Sequence, residues 1–216
     1  STFWALSKLI IDFLEFTIVK SYCALIPKSE GVDDSKNELA VAEAADYATA
    51  ETAFENKQFD EALIKFRLFI DAYPQGDLTR KSYYFIAKSL FSLERWSKAV
   101  ESYSEFIKRY PESELRGKAY FDLGQAFSRL EEWGNASANY LAAYKYNENA
   151  EIAPEAFYYV GLSLIKMSSA NNDYACQMFK EISKKYANAP IVPSVIIQMQ
   201  IMECSWVWHS ETILKL

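Results

Sequence analysis

The 216-residue sequence is poor in the side chains on which most chemistry at neutral pH depends. It has one histidine, His209, and three cysteines, Cys23, Cys176 and Cys204. A single histidine near the C-terminus supplies neither a histidine-rich metal centre nor a Ser/His/Asp triad set in a folded body. Three scattered cysteines form no disulfide framework and no paired-cysteine zinc site, and they are expected to be buried small hydrophobic residues. Glycine-rich phosphate loops of the G-x-G-x-x-G or G-x-x-x-x-G-K-[ST] type and the H-E-x-x-H zinc motif are all missing. The expectation is a protein that is not an enzyme, with no catalytic residues, no metal and no cofactor. Basic residues are also in deficit, 23 against 29 acidic, for a net charge of −6. That sign opposes binding to nucleic-acid phosphates. With six Gly and six Pro, turn residues are too few for a multi-stranded β fold.

What the sequence has in quantity is apolar and aromatic residues, 50% and 16% of the chain, spread through a helix-favouring background. Their placement is periodic. Tyr47, Tyr84, Phe121 and Tyr158 follow one another at intervals of 37, and Ala50, Ala87, Gly124 and Gly161 keep the same interval. Further along each unit come Phe59, Trp96 and Trp133, then Ala62, Ala99 and Ala136, then Phe66, Tyr103 and Tyr140. In the fourth unit the corresponding residues, Ala175, Phe179 and Tyr186, fall two positions late. The stretch from Ser168 to Asp173 lengthens the turn there, and an insertion in a loop leaves the helices on either side intact.

A period of this length marks a solenoid of helical hairpins, since one hairpin cannot bury its apolar face alone. The small residues of the first helix allow close approach, and the bulky residue opening the second helix fills the space beside them. Tyr73-Pro74 and Tyr110-Pro111 end the second helices, because proline disfavours helical geometry in the residue before it. The pattern predicts an all-α, right-handed solenoid of about four hairpins with extra N- and C-terminal helices. Helices are expected near residues 43–56, 60–73, 80–93, 97–110, 117–130, 134–146, 154–167 and 174–186. The repeat domain spans 43–190, in units of about 43–79, 80–116, 117–153 and 154–190.

The Gly or Ala of the first helix, the Ala62/Ala99/Ala136/Ala175 series and Pro74/Pro111 together resemble the tetratricopeptide repeat, over roughly residues 43–190. The 37-residue period and the unit ends Phe69-Ile70-Asp71-Ala72-Tyr73-Pro74-Gln75 and Phe106-Ile107-Lys108-Arg109-Tyr110-Pro111-Glu112-Ser113 look like bacterial envelope members of that superfamily. The nearest resemblance is to the C-terminal domain of the Tol-Pal coordinator family (CpoB/YbgF), with BamD-like outer-membrane assembly lipoproteins second. Asn147-Glu148 departs from the pattern by replacing Tyr-Pro at the end of the third unit. The resemblance implies a non-catalytic, periplasmic interaction scaffold with a TolA-like or other envelope protein as partner, linked to Tol-Pal function, cell division or outer-membrane maintenance. The alternative is a general adaptor of the same repeat type, in a cytoplasmic or membrane-associated complex.

Relatives of this type bind protein segments in a groove lined by first helices. By register, the residues facing it here are Tyr47, Lys81, Tyr84, Lys88, Phe91, Lys118, Phe121, Gln125, Arg129 and Tyr158, joined by Glu51, Phe54, Ile165 and Lys166. Lysines and an arginine interleaved with aromatic rings suit an extended peptide bearing carboxylates, the rings giving contact area and the cations steering association.

The two ends lie outside the repeat. Residues 1–27 are read as an apolar helical segment, interrupted by Asp12, Glu15 and Lys20, whose charge-free stretches fall well short of the ~18–20 residues that span a bilayer. Residues 28–42 are read as a charged linker, and 191–216 as a C-terminal capping helix. The apolar stretches 3–26 and 194–209 are open to three roles: internal packing, self-association or contact with a membrane surface.

Overall fold

The computed structural model describes residues 34–204, and the chain divides into two units, residues 1–42 and 43–216. In the first unit the described residues, 34–42, are helical and open the helix α1, Asp34–Glu55. Part of the segment expected to be a linker is therefore helix. The run Asn37-Glu38-Leu39-Ala40-Val41-Ala42 contains no proline or glycine to stop helix propagation from Glu43 backwards.

In the second unit every regular element among the described residues is a helix, as the repeat predicts. After α1 come α2 (Phe59–Ala72), α3 (Asp77–Ser92), α4 (Trp96–Arg109), α5 (Arg116–Arg129), α6 (Trp133–Tyr146), α7 (Ala153–Met167), α8 (Asn172–Lys185) and α9 (Val192–Ile201). A short 3-10 turn, Ser169–Asn171, occupies the insertion between α7 and α8. Consecutive helices pack on one another as antiparallel hairpins, and α3 also touches α5, so first helices adjoin from unit to unit. The third unit forms its hairpin despite the loss of Tyr-Pro. There α6 ends at Tyr146 because Asn147 takes an extended backbone, φ −157°.

The first helices of units one to three, α1, α3 and α5, end in the same turn. Lys57, Glu94 and Glu131 adopt left-handed φ values of 60°, 58° and 59°. At each, that residue's N–H bonds the carbonyl three residues back, and the next N–H bonds the carbonyl five back, as in Lys57 to Phe54 and Gln58 to Ala53. This is the Schellman closure, which satisfies the last carbonyls of the helix and reverses the chain. The second helix then starts at Phe59, Trp96 or Trp133.

The core is built from the periodic residues. Ala50, Ala87, Ala62, Ala99, Ala136 and Ala175 are fully buried, and so are Phe66, Phe106 and Phe179. Removing a side chain of phenylalanine size from water is worth about 1.5–3 kcal/mol, so these rings supply much of the cohesion of units one, two and four. The first helices approach the rings closely enough to explain their small residues. A Cβ built on Gly161 would lie 2.5 Å from Cε1 of Phe179, and one on Gly124 would lie 2.8 Å from Cδ1 of Tyr140.

One sequence expectation is corrected here. Cys176 and Cys204 are not separate buried thiols; they form a disulfide with Cα atoms 5.6 Å apart. Their sequence separation of 28 spans the turn that folds α9 back on α8, a tertiary contact that sequence spacing does not show. Cys23 lies outside the described residues, as do residues 3–26 and 205–209 of the two apolar stretches.

Candidate functional site

The face formed by the first helices α3, α5 and α7 concentrates positive charge in an acidic chain. These helices carry Arg80, Lys81, Lys88, Arg116, Lys118, Arg129 and Lys166 against Asp77, Asp122 and Glu155. The first unit is the opposite, with Glu43, Asp46, Glu51 and Glu55 and no cation between residues 43 and 55. The described ion pairs, Lys65–Glu61, Arg80–Asp77, Arg95–Asp60, Arg109–Glu105 and Lys185–Glu148, involve none of Lys81, Lys88, Lys118, Arg129 or Lys166. Cations held without a bound carboxylate keep most of their field for an incoming anion.

The aromatic residues expected on this face take a different place. Tyr47, Tyr84, Phe121 and Tyr158 are only 6%, 2%, 5% and 9% exposed. Their rings pack on the second helix of their own unit: Tyr47 with Phe66 and Phe69, Tyr84 with Tyr103 and Phe106, Phe121 with Tyr140, Tyr158 with Phe179. Their contact area is therefore inside the repeat. Phe54, Phe91, Gln125 and Ile165 are half-buried; Phe91 lies edge-on to Trp96, ring centres 4.8 Å apart. Lys81, Lys118, Arg129 and Lys166 are exposed, and Lys88 is half-buried with its ammonium 5.8 Å from the centre of the Tyr84 ring. Arg129 holds its guanidinium 5.5 Å from the ring centre of Trp96, a cation–π contact that positions it without neutralising it. Glu51 accepts a hydrogen bond from the Tyr47 hydroxyl at 3.5 Å.

At the middle of the face lies a residue that the sequence reading passed over. Asp122 accepts a hydrogen bond from the Tyr84 hydroxyl at 2.6 Å and a longer one from Tyr103 at 3.4 Å. The register shows what is unusual about it. In the units on either side the same position holds a ring: Phe85 stacks on Phe66 at 5.4 Å, and Tyr159 stacks on Tyr140 at 5.2 Å. Tyr103 has no such partner at position 122, only a carboxylate. Burial raises the Asp122 pKa above the usual carboxylate value; the Tyr84 hydrogen bond and the nearby Lys88 and Lys118 oppose that shift. The phenols of Tyr84 and Tyr103 are pushed up, first by burial and then by Asp122. A charged residue in an otherwise aromatic series is the sequence signal that would have found this position.

Among the described residues no group of histidine, cysteine and carboxylate side chains is placed to hold a metal ion. No helix among them is long and apolar enough to cross a membrane.

Comparisons with known proteins agree with the architecture. The tetratricopeptide-repeat family model matches residues 44–76, 82–113 and 155–189. The third hairpin, unmatched in sequence, has the fold of its neighbours. No curated protein matches the chain. Among solved structures, the apo form of RapI superposes with a TM-score of 0.64 at 13% identity, covering 74% of this chain and 48% of RapI. The chain thus spans about half the length of RapI. A putative kinesin light chain from Podosopora anserina, with nearly identical TPR-like repeats, gives 0.57 at 10% identity, covering 74% of this chain and 89% of the other. MamA from Desulfovibrio magneticus RS-1, residue 41 to its end, gives 0.54 at 13% identity, covering 77% and 97%. At these identities the likeness is one of fold. The matched repeats, the stacked hairpins and these likenesses together support a tetratricopeptide-repeat protein.

Proposed function

We propose that this chain is a non-catalytic interaction scaffold that receives an acidic, extended segment of a partner protein on the first-helix face of units two to four. The observation that carries the reading is the excess of cations on α3, α5 and α7, seven against three carboxylates, in a chain whose net charge is −6. Lys81, Lys88, Lys118 and Arg129 steer and hold the carboxylates of the segment. Contact area comes from the half-buried Phe91 and the neighbouring Trp96 rather than from the four buried rings. The buried rings set the spacing of the cations by fixing one helix against the next.

The finer reading places the scaffold in the bacterial cell envelope, with a role in Tol-Pal, cell-division or outer-membrane function and a TolA-like partner. The Cys176–Cys204 disulfide supports an extracytoplasmic site, because glutathione and thioredoxin keep most cytosolic thiols reduced. The alternative, a general adaptor in a cytoplasmic complex, fits the same repeats and requires that bond to be reduced in the cell. Alkylating free thiols during lysis of the native host and weighing the protein separates the two. Protection of Cys176 and Cys204 supports the envelope reading, and alkylation of both supports the cytoplasmic one. Capture of bound proteins from the same host, with the wild type beside the Lys81/Lys88/Lys118/Arg129→Ala variant, tests the face. Loss of an acidic partner from the variant supports it, and an unchanged set of partners removes it.

A further inference from the structure

Helix α9 carries the register of a first helix. At its end Glu203 has φ 52°, the left-handed value found at Lys57, Glu94 and Glu131. The bonding is the same as well: the Glu203 N–H reaches the Gln200 carbonyl, three residues back, and the Cys204 N–H reaches Met199, five back. Counting back from that turn aligns α9 with the other first helices residue by residue. Four and eight positions back lie Met199 and Val195, buried like Leu90 and Ile86 of α3. Two and six positions back lie Ile201 and Ile197, which are 70% and 56% exposed. The same two positions hold Glu55 and Glu51 on α1, Ser92 and Lys88 on α3, and Arg129 and Gln125 on α5. On α7, which shares the register through Gly161, they hold Lys166 and Leu162. The exposed isoleucines therefore continue the first-helix face past the fourth unit. Along that face the chemistry is ordered. Helix α1 offers carboxylates with no cation between residues 43 and 55. Next come Lys88, Arg129 and Lys166, none of them in a described ion pair. Last is α9, which has no charged residue from Val192 to Ile201 and ends the described array with an aliphatic pair where a polar surface would be usual.

From this order we infer that the partner's acidic segment carries an apolar side chain at the end that lies on Ile197 and Ile201 and a basic one at the end that reaches Glu51 and Glu55. The inference rests on the reading of the face as a receptor for an acidic segment, and it adds what flanks the acid. Charge complementarity holds the middle of the segment on Lys88, Arg129 and Lys166, and the shared register then brings the residue beyond them onto α9. The spacing follows from the helices. Packed helices lie about 8–10 Å apart, and an extended chain rises about 3.3 Å per residue. Each step from one first helix to the next therefore takes about three residues of the segment. The apolar residue sits about three residues from the carboxylate over Lys166, and further carboxylates follow at the same interval over Arg129 and Lys88. The order holds for either chain direction, because it is set by side chains. Aliphatic contact on α9 removes apolar surface from water and acts on dissociation, whereas the cations act on association.

Fluorescence anisotropy of the full-length chain with synthetic peptides tests it. The first probe, about thirteen residues long, has leucine at one end, lysine at the other and glutamate at roughly every third position between, and it is made in both chain directions. A second probe has serine in place of the leucine, and a third has the leucine moved to the middle of the glutamates. In its better-bound direction, the first probe is expected to bind about tenfold more tightly than the other two. The Ile197→Ser/Ile201→Ser variant should bring it down to the affinity of the serine probe while leaving the serine probe unchanged. Circular dichroism, with hydrogen exchange in α3 to α6, reports that the variant is folded. The serine probe reads the underlying proposal separately: binding that is lost at high salt and in the Lys81/Lys88/Lys118/Arg129→Ala variant upholds the acidic-segment reading whatever the leucine does. Equal affinities for the leucine and serine probes overturn the inference and leave that reading standing, and a leucine advantage that survives the loss of both isoleucines overturns it too. No binding of any probe at low salt overturns both. A wild-type dimer that the isoleucine variant converts to monomer assigns the aliphatic pair to a second copy and overturns the inference equally.

Discussion

Replacing Gly161 by alanine tests whether close helix approach, rather than helix propensity, sets the residue at this register position. On propensity alone the change stabilises, since alanine is favoured over glycine by about 1 kcal/mol in a helix interior. Packing opposes it. The new Cβ would lie 2.5 Å from Cε1 and 2.9 Å from Cζ of Phe179, a ring with no solvent exposure and therefore no free direction to retreat. Forcing a methyl into a filled core costs about 1–3 kcal/mol. The two effects sum to a net destabilisation of about 1 kcal/mol, or about 2–4 °C in Tm for a chain of this size. The chain contains its own control, because Ala50 and Ala87 occupy the same position opposite Phe66 and Tyr103. Replacing either by glycine should destabilise by propensity and by the small cavity, with no relief of crowding. The assay is urea unfolding followed by circular dichroism, with Gly161→Ala repeated in a Phe179→Leu background, where the smaller side chain gives the methyl room. A Gly161→Ala protein more stable than wild type by the full propensity increment would refute the packing argument.

Asp122 should make stability depend on acid in a direction opposite to that of an ion-paired carboxylate. Its folded pKa is raised above the ordinary value of 3.8, so the folded state takes up a proton before the unfolded state does. Stability therefore rises as pH falls through the raised folded value and levels off below the unfolded one. In pH-resolved urea unfolding, Asp122→Asn should lack that rise, and an identical profile in the two proteins would contradict the burial argument. Reducing Cys176–Cys204 should loosen the C-terminal end first. Closing a loop of 28 residues is worth about 3–4 kcal/mol in the chain-entropy model, so α9 amides should exchange much faster in reductant while α3 to α6 stay protected. Uniform protection with and without reductant would show that the packing of Val195 and Met199 alone holds the helix. Once a partner is in hand, replacing Lys81, Lys88, Lys118 and Arg129 with alanine should slow association and flatten its dependence on salt, with dissociation changed less. Stopped-flow traces at several ionic strengths measure this, and an unchanged salt slope would contradict the steering role.

The architecture was legible because a strict 37-residue interval leaves little freedom. Helix α2 was expected at residues 60–73 and is Phe59–Ala72, and α5 was expected at 117–130 and is Arg116–Arg129. Boundaries moved where local chemistry competes with the repeat. Helix α3 starts at Asp77, as soon as Gly76 at φ 120° has turned the chain. Helix α1 extends back to Asp34 through a stretch whose charge suggested a linker but whose propensity favours a helix. The site was legible only in its charges. Long cations such as Lys81 and Lys118 reach solvent from almost any register, whereas the exposure of a ring depends on how far its helix is rotated toward its partner. Spacing assigns Tyr47, Tyr84, Phe121 and Tyr158 to one face, but their burial comes from the second helices packed against that face. The disulfide required knowing that α9 turns back on α8, and Asp122 required comparing each unit with its neighbours one position away from the conspicuous aromatic series.

The central claim, that the first-helix face of units two to four receives a partner segment, is tested most directly by hydrogen exchange of the full-length chain with and without the protein captured from the native host. The account predicts new protection on the exposed amides and helix ends of α3, α5 and α7, centred on Lys88, Asp122 and Arg129, that disappears at high salt. Protection confined to the second helices α2, α4 and α6, or to α9, with α3, α5 and α7 unchanged, would contradict it.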